Sequence, residues 1–374
     1  MIVLFVAGAR PNFVKIAPLI RASAGYSDID AQLIHTGQHY DKAMSDAFFD
    51  DLEIPRPDVN LGVGSASHAV QTAEVMKGFE NVLMDRPVDV VVVVGDVNST
   101  LACALTSAKL GVPVAHVEAG LRSFDMTMPE EINRVLTDRI SNYCFTTEPS
   151  ADDNLLREGV AKSKIFAVGN VMVDSLLRFL AKSSKSDILS RLQLSYGGEG
   201  YVLLTLHRPV NVDDEGALRR TLGAANDLSA FIPIVFPAHP RTKLQIAKNG
   251  IKLSSRVQLI EPLGYLDFLH LMHKARIVLT DSGGIQEETT ALGVPCLTLR
   301  ENTERPITTT IGTNRLVGSN PEEILIQARF ILDGAVPKGS VPVLWDGKAA
   351  ERIMAILYRK LRDRKDGTGS GRES

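Results

Sequence analysis

Residues 88–94 read Val-Asp-Val-Val-Val-Val-Val and run directly into Gly95-Asp96. An apolar run of that kind, without polar alternation, fits a strand buried on both faces, as in a parallel sheet covered by helices. Other β-rich runs at residues 2–7, 32–36, 112–117, 143–146 and 165–168 alternate with longer stretches of helical spacing, so the first half predicts a βα series. A polar stretch over residues 182–200 follows, and then strand-like runs resume at 201–205, 234–237, 257–260, 277–280 and 295–298. The chain restarts its fold. Its 374 residues exceed one ordinary domain, and 44% hydrophobic content suffices for two cores. The expectation is an α/β protein with two Rossmann-like domains, residues 1–170 and 171–347, with the boundary between 170 and 200. Residues 348–364 have helical spacing, and residues 365–374 have the Gly/Ser/charge composition of a disordered tail.

Composition narrows the partners. A formal net charge of −3 offers no broad attraction to nucleic acid or anionic lipid, so neither is expected and phosphate recognition must be local. Cys103, Cys144 and Cys296 form no CxxC pair, which argues against a disulfide framework or zinc site and for a reducing, cytoplasmic setting. The apolar start at residues 2–7 has no basic segment before it and fits a first strand better than a signal peptide. No run approaches the roughly 20 apolar residues of a membrane span.

Ligands of open parallel sheets bind beyond the carboxyl ends of the strands, so the residues just after each strand carry the functional question. After the first strand, Gly8-Ala9-Arg10-Pro11-Asn12-Phe13-Val14-Lys15 places Arg10 and Lys15 at a helix start opened by Pro11. That suits an anion; the plainer alternative is a capped turn with solvated charges. Asp96 leaves the valine strand and would be an ordinary helix cap. Glu118 leaves the next strand, and glutamate is a poor cap. Two acids at neighbouring strand ends can share a site in which repulsion and burial separate their pKa values. Glu130 and Arg134 are four apart on a helix opened by Pro129, which by itself describes a surface ion pair.

In the second half, His207-Arg208-Pro209 follows a strand and suits phosphate contact or proton movement. His239, with Arg241 nearby, is a weaker counterpart. Thr280-Asp281-Ser282-Gly283-Gly284 ends another strand. There Ser282 can cap the following helix, and the glycines Gly283 and Gly284 let a diphosphate approach its amides. Neither a Walker lysine nor a GxGxxG fingerprint accompanies it. Glu288, one turn on, could accept both hydroxyls of a ribose, and Arg305 would add charge from the next strand-end loop.

The motifs GARPNFVKIAPL, GDVNSTLA, HVEAGLRS, MPEEINR, LHRP and TDSGGIQEE followed by ERP, in that order from residue 8 to about 318, resemble the non-hydrolysing UDP-N-acetylglucosamine 2-epimerase family. The resemblance implies a GT-B-like fold, two Rossmann-like domains facing a cleft, with residues 348–364 as a helix crossing back to the first domain. It further implies a UDP-sugar substrate, a homodimer, and no metal or cofactor. Asp96, Glu118 and Glu130 then correspond to the acids of proton transfer, with Arg134 beside Glu130. Arg10 and Lys15 fall at the substrate and His207 near the diphosphate. Ser282, Gly283 and Gly284 match the phosphate-binding helix start, Glu288 the ribose carboxylate, Arg305 a cation, and Leu263 and Phe268 the uracil contacts. The implied reaction expels UDP through a 2-acetamidoglucal and re-adds it after C2 is reprotonated from the other face.

Two departures bear on the sugar. Asn12 stands where many members have glutamate, and the chain keeps Gln38 and His39 but has Tyr40-Asp41 where regulated members carry other residues of a second, allosteric substrate site. Several motifs also resemble relatives that epimerise UDP-2,3-diacetamido-2,3-dideoxyglucuronate. A GT-B glycosyltransferase is the rival from another class, sharing the nucleotide helix without needing the acids.

Overall fold

The computed structural model describes residues 1–37, 49, 52–194, 200–335 and 339–367. The expectations for Gln38, His39, Tyr40, Asp41 and the final residues 368–374, and the side chain of Arg10, lie outside what is described. The chain forms two compact units: residues 1–175 together with the segment that begins at 343, and residues 176–342.

In the first unit, β1 (Ile2–Ala7), β2 (Asp30–His35), β3 (Val59–Asn60), β4 (Val90–Val94), β5 (Val114–Ala119), β6 (Tyr143–Thr146) and β7 (Ile165–Ala167) form one parallel sheet. Its order is β3-β2-β1-β4-β5-β6-β7. The second unit carries β8 (Val202–Thr205), β9 (Ile234–Pro237), β10 (Val257–Ile260), β11 (Ile277–Thr280), β12 (Cys296–Thr298) and β13 (Asn314–Leu316), all parallel, in the order β10-β9-β8-β11-β12-β13. Both orders reverse beside their first strand, between β1 and β4 and between β8 and β11. Each reversal parts the flanking connections and leaves a crevice at the carboxyl ends of the strands.

The valine run behaves as its composition demands. Val91 and Val93 join Leu4, Val6 and Ile34 under Val75, Phe79 and Cys103 of the helices His68–Met84 and Asn98–Lys109. Alternation turns Val3, Phe5, Val92 and Val94 to the other face, where they are equally buried. Neither β3 nor β13 carries the apolar run by which the other strands are legible in the sequence. Both are edge strands of two and three residues, Val-Asn and Asn-Arg-Leu, and so lack the two-sided burial that marks the inner strands.

Asn12 has a structural explanation. It is buried in the first turn of the helix Arg10–Ser23, and its Oδ1 accepts from the amides of Gly8 (3.2 Å) and Ala9 (2.9 Å). Its Nδ2 donates to the Val94 carbonyl at 3.2 Å. The side chain thus closes the helix start and ties it to the end of β4, a donation that a carboxylate in its place could not make. The residue read from sequence as a change in the sugar pocket spends its polar atoms on the backbone.

The last helix, Ala349–Lys365, packs against Arg10–Ser23. Asp174 accepts from the amides of Ala349 (3.1 Å) and Ala350 (2.7 Å), and Trp345 Nε1 donates to the Thr147 carbonyl at 3.0 Å. Gly169, at φ +88°, has the Leu344 carbonyl so near that a Cβ would lie 2.1 Å from its oxygen. Gly169→Ala therefore meets both left-handed strain and backbone overlap. It should cost about 2 kcal/mol or more in a urea unfolding curve, with the midpoint falling while the slope is retained.

Candidate active site

At the switch point of the first unit, three acids come with cations. Lys15, from the helix after β1, forms a buried ion pair with Glu118 at the end of β5. Gly95, at φ +67°, lies against this pair: a Cβ would stand 3.2 Å from Lys15 Nζ and 3.5 Å from Glu118 Oε2. Asp96 does not cap the next helix, whose N-cap is Val97. Its Oδ2 instead meets Arg134 Nη2 at 2.5 Å, and 24% of its side chain remains exposed. Both acids therefore stand beside a cation, Glu118 beside Lys15 and Asp96 beside Arg134.

The pairing of Glu130 with Arg134 also needs correcting. Arg134 Nη1 binds Glu131 Oε2 at 2.7 Å. Glu131, buried, accepts from the amides of Ser123 and Phe124, both at 2.9 Å, and so closes the loop before its helix, Pro129–Ile140. Glu131 sits one position from Glu130 on the inward face of the helix, which is why the i,i+4 spacing misled. Glu130 is half-buried, and none of the described ion pairs reaches it. Asn133, another residue the sequence did not single out, donates to the Asp96 carbonyl at 2.9 Å.

In the second unit the organising group is Asp281, at the end of β11. Fully buried, it accepts from the amides of His207 and Arg208 and from Asn211 Nδ2, and lies 2.7 Å from His207 Nδ1. Burial pushes the Asp281 carboxyl up, but the bonds and charge of His207 outweigh it and hold it below the usual carboxylate range. His207 is thereby oriented by one ring nitrogen while more than half its side chain stays exposed. The sequence signal for Asp281 was its position, an acid one residue past a buried strand.

Ser282 occupies the N-cap position of the helix Gly283–Leu292, but its hydroxyl makes no cap bond. The anion character of this helix start comes from its amides and from a guanidinium cluster. Arg305 Nη1 meets Glu304 Oε1 at 2.5 Å, and its Nε stands 2.9 Å from Glu287 Oε1, close enough for an ion pair though not aligned as a hydrogen bond. Arg300 binds Glu304 Oε2 at 2.7 Å, and Arg208 lies 3.6 Å from the other oxygen. A Cβ at Gly283 would lie 2.4 Å from Arg305 Nη1, so only glycine lets the guanidinium come this close to the helix start. Three arginines thus gather around Glu304 beside the helix start, with Arg305 also against Glu287. Glu304 and Arg300 were not singled out from the sequence, where their only signal is the charged run Arg300 to Arg305.

Glu288 points into the second unit, where burial and the charge of Glu287 push its carboxyl up to about 8. The Tyr265 hydroxyl donates to it at 3.4 Å. Leu263 and Phe268, both half-buried, flank Tyr265 at the start of the helix Tyr265–Lys274. His239 caps the helix Pro240–Lys248, accepting from the Arg241 amide, while Arg241 pairs with Asp213. These two are accounted for structurally. No helix among the described residues is long and apolar enough to cross a membrane.

A family profile described as UDP-N-acetylglucosamine 2-epimerase matches residues 21–358. The UDP-N-acetylglucosamine 2-epimerase of Methanocaldococcus jannaschii is 44% identical over 359 residues, covering 94% of this chain and 97% of the relative. Its crystal structure in complex with UDP-GlcNAc and UDP is similar with a TM-score of 0.88 at 43% identity, over 96% of this chain and all of that one. The UDP-2,3-diacetamido-2,3-dideoxy-D-glucuronate 2-epimerase of Pseudomonas aeruginosa is 41% identical over 96% of this chain and 100% of the relative. Two Rossmann-like parallel sheets, a GT-B-like fold and near full-length similarity at this level lead to one conclusion: the chain is an epimerase belonging to the UDP-N-acetylglucosamine 2-epimerase family.

Proposed function

We propose that the chain interconverts UDP-N-acetylglucosamine and UDP-N-acetylmannosamine by inversion at C2. The observation that carries this reading is the segregation of charge. Asp96 and Glu118 stand as carboxylates beside Arg134 and Lys15 at the switch point of the first unit, whereas Arg208, Arg300 and Arg305 gather beside the glycine-led helix of the second. The first suits proton transfer and the second a diphosphate. The Methanocaldococcus relative, whose crystal structure is described with UDP-GlcNAc and UDP, supports the same substrate.

The C2 proton of such a sugar is too weakly acidic to leave unless its electron pair is used at once. A carboxylate of the set Asp96, Glu118 and Glu130 removes it. The pair becomes the C1–C2 double bond of a 2-acetamidoglucal, and the C1–O bond breaks with its electrons going to UDP. Another acid of the set then protonates C2 on the opposite face while a diphosphate oxygen re-forms the bond to C1. Until then UDP must be retained. Arg305, Arg10 and the amides behind Ser282, Gly283 and Gly284 stabilise its charge, and His207, oriented by Asp281, contacts the diphosphate. Lys15 and Arg134 balance the charges of Glu118 and Asp96. Glu288 takes the ribose hydroxyls, and Leu263 and Phe268 hold the uracil. A homodimer and a cytoplasmic location belong to the same reading. The exposed Ile132 and Leu136 are apolar surface that a second copy would cover, and the three buried thiols suit a reducing compartment. The Pseudomonas relative supports a second substrate, the diacetamido uronate.

Incubation with UDP-GlcNAc in D2O, followed by NMR, should show deuterium at C2 and UDP-ManNAc. Absence of both from folded protein would remove UDP-GlcNAc as substrate, and exchange with the diacetamido uronate instead would establish the second reading. Asp96→Asn and Glu118→Gln should each slow exchange on the order of 10²–10⁴-fold with UDP still bound; lost UDP affinity would mean that the acids are structural. Arg305→Gln should weaken UDP binding about 10- to 100-fold by calorimetry. The Glu288 carboxyl can accept a hydroxyl at each of its two oxygens only when ionised, so UDP affinity should rise as pH increases towards about 8 and then level. Glu288→Gln should remove that rise. The sign for stability is opposite: the ligand-free fold holds a proton that the unfolded chain releases near 4.5, so Glu288 makes stability fall between about 4.5 and 8.

A further inference from the structure

Behind the acids of the first unit lies a buried charge cluster for which the proposed chemistry has no use. Pairing of β5 with β6 shifts register between Val117 and Ala119, and the residue at the irregularity is Glu118, held at φ +72°. A non-glycine residue pays about 1–2 kcal/mol for that conformation, and bulges of this kind re-aim a side chain. Asp138, on the helix Pro129–Ile140, straddles the bulge. Its Oδ1 lies 2.6 Å from His116 Nδ1, two residues before Glu118, and its Oδ2 accepts from the Gly120 amide at 3.0 Å, two residues after.

His116 extends the clamp. Its Nε2 lies 2.8 Å from the carbonyl oxygen of Gly95, the residue against which Lys15 and Glu118 rest. That carbonyl and an ionised Asp138 both accept, so both ring nitrogens donate. Arg122 closes the cluster, with Nη1 2.8 Å from Asp138 Oδ2 and its other edge on Glu158 at 2.8 and 2.6 Å. Burial pushes the Asp138 carboxyl up, but His116 and Arg122 outweigh it and hold it below the usual range. Burying such charges is a poor way to gain stability, since apolar packing of the same volume does as well. Apolar packing could not satisfy the Gly120 amide beside the bulge or hold the Gly95 carbonyl.

We infer that Asp138 is a positioning residue for the epimerisation: through His116 and the Gly120 amide it holds Glu118 in its left-handed conformation, and so sets the direction of the carboxylate beside Lys15. The inference rests on the reading of Glu118 as one of the acid–base groups.

Asp138→Asn tests it, because the amide keeps the volume but cannot accept at both oxygens. We expect kcat for UDP-GlcNAc to fall on the order of 10²-fold, as for a catalytic group displaced by about an ångström. KM and the Kd for UDP should stay within about twofold, and a crystal structure of the variant should show residue 118 out of the left-handed region. An unchanged kcat, an unchanged φ at 118, or a parallel loss of kcat and UDP binding would each overturn the inference, the last by reducing the cluster to a support of the fold. If Asp138→Asn does not fold, His116→Gln should show the same split at smaller size, and uniform behaviour there would overturn it equally. Wild-type protein inert towards both UDP-sugars would count against the functional reading instead, while φ at residue 118 in the variant would still decide whether Asp138 positions it.

Discussion

The inner strands of both sheets are buried on both faces, and that burial governs where chemistry can be placed. A strand such as Val90–Val94, with every residue buried, has no position at which a charge could be solvated. Polar groups are therefore driven to the strand ends, and the carboxyl ends beside β1 and β8 are where the strand order reverses and the connections part. Arg10, Lys15, Asp96, His207, Asp281 and Ser282 all follow strands that border those reversals. Their concentration there is a consequence of topology before it is a matter of function.

Once gathered, the charges are balanced locally. Glu118 has Lys15, Asp96 shares Arg134 with Glu131, and Glu304 meets three arginines. Such pairs contribute little net stability, because desolvation offsets the attraction. They hold each group in a defined orientation before a ligand arrives, so that little reorganisation is needed when charge moves. The first unit does this with carboxylates set beside Lys15 and Arg134, the second with Arg208, Arg300 and Arg305 gathered around Glu304.

Glycine takes part where backbone and charge come close. Gly95 adopts a left-handed conformation beside the Lys15–Glu118 pair, and Gly283 leaves room for Arg305 at the helix start. Glu118 accepts a comparable backbone conformation without being glycine, with the Asp138 clamp on either side. The departure at Asn12 belongs to the same economy, since its amide serves the junction of β1 and β4.

Much of this was legible in the chain itself. Unbroken apolar runs announced buried parallel strands, because burial of both faces is a property of composition along a short segment. Residues one or two positions past those runs were identifiable for the same reason, as were the motifs that resemble the epimerases. The short edge strands β3 and β13 were not, lacking that two-sided burial. Nor were the partners of the charges: that Arg134 chooses Glu131 and Asp96 over Glu130, that Asp281 holds His207, and that Asp138 spans the bulge at Glu118. Sequence by itself determined which side chains stand at the strand ends, because a period and a punctuation mark are local. Only the tertiary structure decided which of them meet, because an ion pair or a clamp joins residues that the order of strands brings together and linear spacing does not.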